Sequence, residues 1–288
     1  MSLFGRNPRH TWGVLRNAQL VPVHFPGWRL RVYVPPTSVD SPDMSVPPQF
    51  IKKLHLLGAD TVRVGGRIGS AATTGFPPRD WRLLVADDRS VDYFLIRDSE
   101  SRLSDREASA VDEWIAEVER HEAAGDRDAF PVHCIRDHSQ HADRAVVDGL
   151  WGGRPAALRR RLGTRLTTAL YRKLSASTSG NVTATIVTES VVNMTSQLLR
   201  PKSTLEEVLW PIIVGGNSKA FLHDVVSPCD RWTTTTTTTL TKRLPFPVAR
   251  QGHGYVGQKY DEHQELASGN DSAILGPDVV CEIRLSRP

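Results

Sequence analysis

Apolar residues fall along this chain in two alternating periods, and the order of those periods predicts an α/β fold. Trp12, Leu15, Leu20 and Val21 recur at helical spacing, which predicts a helix over 7–25, closed by Pro26-Gly27. Arg29 to Val34 alternates like a strand. Phe50, Ile51, Leu54 and Leu57 mark a second helix stopped by Gly58, and Thr61 to Val64 reads as a second strand. Strand, helix and strand in that order form a βαβ unit. A third strand is expected over Val91 to Arg97, followed by Ser104 and Glu107 in the spacing of a capping box. The helix beyond it carries one apolar stripe: Ala108, Val111, Trp114, Ile115 and Val118. Phe130 to Ile135 predicts another strand, Gly149 to Gly153 a small-residue turn, and Arg154 to Leu174 an arginine-rich helix. Residues 175–204 mix helical and strand signals, and the seven threonines Thr233 to Thr239 read as a loop or insertion.

Chemistry concentrates at the end of the third strand, in Val91 to Arg102, VDYFLIRDSESR. In extended backbone Asp98 and Glu100 point to one side, about 6–7 Å apart. Two such carboxylates can grip a hard divalent cation, magnesium or manganese, which leaves positions open for phosphate oxygens. Arg97 and Arg102 flank the pair and suit diphosphate contact or ordering of the turn. The plainer reading is a strand that ends in a solvated charged turn. Position favours the chemical reading, because ligands of open α/β sheets bind at carboxyl ends of strands.

Three further groups are candidates. Arg136-Asp137-His138 lies at the end of the next strand. There Asp137 could take a proton from an acceptor hydroxyl and His138 could donate to a sugar or phosphate oxygen; the alternative is an Asp–Arg pair that fixes a loop. Trp151, among glycines, could stack on a sugar ring or sit in the core. His223, followed by Asp224, could add a third metal ligand or be a surface residue at a strand end. The chain has no Walker loop, G-x-G-x-x-G, G-x-S-x-G or H-E-x-x-H, which disfavours P-loop, dinucleotide, serine-hydrolase and zinc-protease chemistry.

Composition narrows the partners. A net charge of +4 suits an anionic small substrate, and the Arg159 to Arg165 cluster lacks the interleaved aromatics of a nucleic-acid binder. Cys134, Cys229 and Cys281 show no zinc or disulfide spacing. No apolar run approaches the ~20 residues of a membrane span, and the first residues lack the apolar core of a signal peptide. As written the chain is expected to be cytoplasmic.

Several segments in one order then resemble a glycosyltransferase-like family of the GT-A type, found in polysaccharide-biosynthesis loci. They are the segment from Ser2 to Leu20, FPGWRLRVYV from Phe25, the stretch from Trp81 through RDSESR to Ile115, FPVHCIRDHSQH from Phe130, GLWGG from Gly149, EEVLWPII from Glu206, His223-Asp224, and PFPVAR with YVGQ from Pro245. The resemblance implies one domain over 1–288 with a mostly parallel central sheet flanked by helices. Residues 1–150 would bind a nucleotide-diphosphate sugar, and 151–288 would form an acceptor-side half with irregular insertions near 175–204 and 232–241. It implies a divalent cation at Asp98 and Glu100, transfer to a carbohydrate or other hydroxyl acceptor, and a first strand ending at Ser2 to Gly5 that lines the base, with Arg16 and Asn17 nearby. The family usually has aspartate where Glu100 stands, and Asp-Gln near Glu206-Glu207. Those departures leave a second expectation, a non-catalytic relative that binds nucleotide sugar or carbohydrate.

Overall fold

The computed structural model describes residues 1–37, 44–65, 77–138, 141, 146–170, 172, 220–224, 241–244, 247, 255–261 and 263. The readings of 175–204, the threonine run, Glu206-Glu207 and Pro245 lie outside the described residues.

The architecture is mixed α/β. Helix α1 (Pro8–His24) starts where Asn7 accepts a hydrogen bond from the Arg9 amide at 3.0 Å. Strand β1 (Arg31–Val34) pairs in parallel with β2 (Asp60–Arg63), and α2 (Pro48–Leu56) is the crossover between them. Val14, Leu15, Val32, Val34 and Leu54 bury the contact of α1 and α2 with β1. Ser2 bridges Tyr33 in parallel, so the first residues run alongside β1.

A second sheet has the order β3-β5-β4-β6-β7. Its strands are β3 (Phe94–Arg97), β4 (Val132–Arg136), β5 (Leu150–Gly153), β6 (Ala220–Asp224) and β7 (Thr241–Leu244). The β4, β6 and β7 strands run parallel, and β5 is antiparallel to both of its neighbours. Helix α3 (Asp105–Ala123) covers one face, where Trp114 stacks on His133 with ring centroids 5.2 Å apart. A 3-10 segment (Pro78–Asp87) and α4 (Pro155–Leu162) supply the other side of the core, joining Trp81, Leu83 and Leu158 to Phe94, Ile96 and Cys134.

The structure differs from the sequence reading in three places. Gly149 to Gly153 is not simply a turn: Leu150–Gly153 is a central strand, fully buried, so no polar–apolar alternation marked it. Its glycines are demanded by packing, since a Cβ on Gly152 would come within 2.5 Å of the Phe94 carbonyl oxygen. The helix expected over 154–174 stops at Leu162, because Gly163 takes a left-handed conformation at φ +63°, and helix resumes at 166–170. The capping box is half made. Ser104 accepts from the Glu107 amide at 3.3 Å, but the Glu107 side chain is buried against Arg97 instead of returning to the cap.

Candidate functional site

The turn after β3 is held from beneath by α1. Asn17, fully buried, donates through Nδ2 to the Ser101 carbonyl at 2.7 Å and the Ser99 carbonyl at 3.2 Å. Its Oδ1 accepts from the Leu103 amide at 3.4 Å. Helix and turn touch at Gly13, where a Cβ would lie 2.2 Å from the Ser99 oxygen. From the other side Gly149, at φ +75°, leaves room for the Asp98 carboxylate that any side chain would occupy. Arg102 closes the turn by donating to the carbonyls of Glu100 and Ser101 at 3.1 and 3.0 Å, while its guanidinium lies 4.7 Å from the Tyr260 ring centroid.

On this platform Asp98 and Glu100 each divide their two oxygens between different tasks. Asp98 Oδ1 accepts from Arg82 at 2.5 Å, and Glu100 Oε2 lies 3.2 Å from His10 Nδ1. The remaining oxygens, Asp98 Oδ2 and Glu100 Oε1, face one position, where Lys259 Nζ sits at 3.3 and 3.1 Å. Arg9 adds a longer contact to Glu100 at 3.9 Å. Burial alone would raise the Glu100 carboxyl; the His10 hydrogen bond and the Lys259 charge outweigh it and hold the group well below the ordinary carboxylate range. The same two carboxylates raise Lys259 against the opposing effect of its burial.

Two carboxylate oxygens are thus aimed at one point, with their second oxygens anchored, and the ammonium of Lys259 occupies that point. A divalent cation fits this donor set only where Lys259 yields. Among the described residues no cluster of three or more His, Cys, Asp or Glu side chains is placed to hold a metal. His223 lies on β6 opposite Ile135 of β4, with β4 and β5 between it and β3. Three strand spacings put its backbone about 14 Å from that of β3.

The other expected site residues are placed as follows. Arg97 faces α3, away from the acidic pair, in a buried ion pair with Glu107, and it also donates to the Trp151 carbonyl at 3.2 Å. It orders the core beneath the turn. Asp137 is wholly buried and accepts from Arg106 Nε and Nη2, both at 2.9 Å, and from the Val256 amide at 2.9 Å. That is the loop-fixing Asp–Arg pair, made with a residue of α3. His138 is buried beside Tyr255, ring centroids 4.6 Å apart. Trp151 takes the core position, edge-on to Phe94 at 5.3 Å. Arg16 is exposed and donates to Gln19 at 3.1 Å.

Sequence reasoning did not find Lys259, Arg82 or His10. None neighbours the acidic pair in the chain: His10 is on α1, Arg82 on the 3-10 segment and Lys259 in a C-terminal loop, and no local pattern links them. A cavity of about 400 Å³ lies behind the turn, bounded by β1 and β3 and lined in part by Met1, Tyr33, Arg82, Phe94 and Arg97. Its lining includes neither Asp98 nor Glu100. Cys134 is fully buried, and that burial pushes its thiol up to about 12. No helix among the described residues is long and apolar enough to cross a membrane.

No family model matches the chain, and neither a curated protein nor a solved structure matches it.

Proposed function

We propose that the protein is a glycosyltransferase of GT-A-like fold, moving a sugar from a nucleotide-diphosphate donor to a hydroxyl acceptor, carbohydrate being the leading class. One observation carries the reading: Asp98 and Glu100, at the carboxyl end of β3, direct one oxygen each to a single cation position. A manganese or magnesium ion held there would neutralise charge on the leaving diphosphate. The chain's own residues do the rest. Arg82 and His10 fix the second carboxylate oxygens, and Asn17 and Arg102 hold the turn so that the pair keeps its aim. Arg97 supports the strand from within, and Asp137 fixes the Val256 segment that leads to Lys259. His138, Trp151, Arg16 and His223 receive no direct role at the cation position.

A second reading, a non-catalytic nucleotide-sugar or carbohydrate-binding relative, is favoured by one specific observation. Asp137 gives both oxygens to Arg106 and has no exposed surface, so it is a structural group rather than a proton acceptor for an incoming hydroxyl.

Hydrolysis of nucleoside diphosphate sugars, followed with and without manganese, tests the transferase reading. Manganese-dependent donor cleavage that falls at least a hundredfold in Asp98→Asn supports it. Donor binding without cleavage supports the second reading. Cleavage or binding indifferent to both manganese and Asp98 overturns the role given to the acidic pair.

A further inference from the structure

Asp80, on the first turn of the 3-10 segment, is an acid buried without the partners that hold the others. The residue is 3% exposed, and its Oδ2 has no hydrogen-bond partner among the described residues. Its Oδ1 lies 3.6 Å from Nε of Arg79, beyond hydrogen-bond range, and the Arg79 side chain stands largely in solvent. Asp137, by contrast, takes two bonds from Arg106, and Glu107 is paired with Arg97. The charged groups that act on Asp80 are Arg79 and Arg82, which favour its ionised form, and Asp148, which opposes it; burial outweighs both arginines.

The segment that carries Asp80 is anchored at its far end. Leu83 and Ala86 lie in the core, and the Asp87 carboxylate accepts from the Leu166 amide at 2.7 Å. The first turn is tied at the surface: the Asp80 amide donates to the Pro77 carbonyl at 2.9 Å, and the Ser2 hydroxyl donates to the Arg79 carbonyl at 3.1 Å. We propose that Asp80 is a proton-operated latch: protonated, it lets the turn from Pro77 to Asp80 lie against the core, and on losing its proton it carries that turn outward into water. The physical reason is the difference between the two forms. A neutral carboxylic acid tolerates a site that offers it no donor, whereas a carboxylate there forgoes hydration with nothing in return. Movement is confined to the first turn, because Leu83, Ala86 and Asp87 hold the remainder. It breaks the contact between Ser2 and Arg79, while the Ser2 oxygen goes on accepting from the Arg82 amide at 2.9 Å. The carboxyl is raised from 3.8 to about 6 while the turn is closed. Opening is therefore favoured as pH rises through that window, and a two-unit difference limits the gain to about a hundredfold.

Carbon-13 titration of the Asp80 carboxyl in the full chain tests the latch, together with amide hydrogen exchange read as protection factors at about pH 4 and about pH 8. In the wild type the carboxyl is expected to titrate at about 6. Protection of the Asp80 amide, bonded to Pro77, is expected to fall about tenfold to a hundredfold between the two pH values. The Asp88 amide, bonded to Val85 at the anchored end, is expected to keep its protection. In Asp80→Asn, which keeps the shape of the side chain and removes its charge, the Asp80 position is expected to be equally protected at both pH values. Titration in the ordinary carboxylate range, or an equal fall of protection in Asp80→Asn, overturns the latch. A raised titration with protection of the Asp80 amide unchanged by pH overturns it as well, since the acid then ionises without moving the turn.

Discussion

The turns that follow β3 and β4 look alike in the chain: each begins with an arginine and an aspartate at the end of an apolar strand, Arg97-Asp98 and Arg136-Asp137. Their environments part completely. Asp137 has no exposed surface and gives both oxygens to one guanidinium on α3. Asp98 is partly exposed, gives one oxygen to Arg82, and turns the other toward a lysine whose side chain is 48% exposed. A buried two-pronged ion pair is a fixed joint, since losing one partner strands a charge without water. A half-exposed contact to a flexible ammonium is exchangeable, since water and other ions can replace it at little cost. The same dipeptide therefore makes a buried joint in one turn and a partly exposed ion pair with a lysine in the other.

The largest test of this contrast is Arg106→Met. It removes the guanidinium that holds both oxygens of buried Asp137, and a loss of about 3–5 kcal/mol in unfolding free energy is expected from denaturant titration. A loss below 1 kcal/mol would remove the distinction between the two turns.

Asp80 offers a third kind of acid, buried with only a 3.6 Å contact to exposed Arg79. Burial lifts its carboxyl from 3.8 to about 6. Between those values the folded chain holds a proton that the unfolded chain has lost, so stability falls as pH rises through the window. Asp80→Asn is expected to match wild type below about pH 4 and to exceed it by up to about 3 kcal/mol above pH 7. Melts that show a pH-independent difference would refute this sign.

Asn17→Ala comes next. It strips buried hydrogen bonds from the turn carbonyls, with an expected cost of about 2 kcal/mol and weaker manganese binding despite an intact acidic pair. Unchanged binding would mean that the turn keeps its aim without α1. The smallest expected effect is that of Lys259→Gln on stability, under about 1 kcal/mol, because partly exposed ion pairs contribute little. A larger loss would place Lys259 among the fixed joints, with Arg106.

Much of the frame was readable in advance. The α1, α2 and α3 stripes, the β1–α2–β2 unit and the strands β3 and β4 emerged from local periodicity. The approach of Asp98 and Glu100 to one lysine has a different origin from the expected two-residue repeat of extended backbone, since β3 ends at Arg97 and residues 99–100 form a turn. β5 escaped because a strand buried on both faces carries no alternation, and its glycines resemble a turn. Glu107 fitted a capping box by spacing, yet its carboxylate went to Arg97, because a buried guanidinium next door is a stronger partner than a backbone amide.

Local order along the chain thus decided which segments are helix or strand and where acids gather, since those depend on neighbours within a turn or a pleat. Folding decided which acid is a buried joint and which a partly exposed ion pair. Arg106, Arg82, His10 and Lys259 reach their carboxylates across 31, 16, 90 and 159 residues. Charge pairing acts through space at a few ångströms, and separation along the chain carries no record of it.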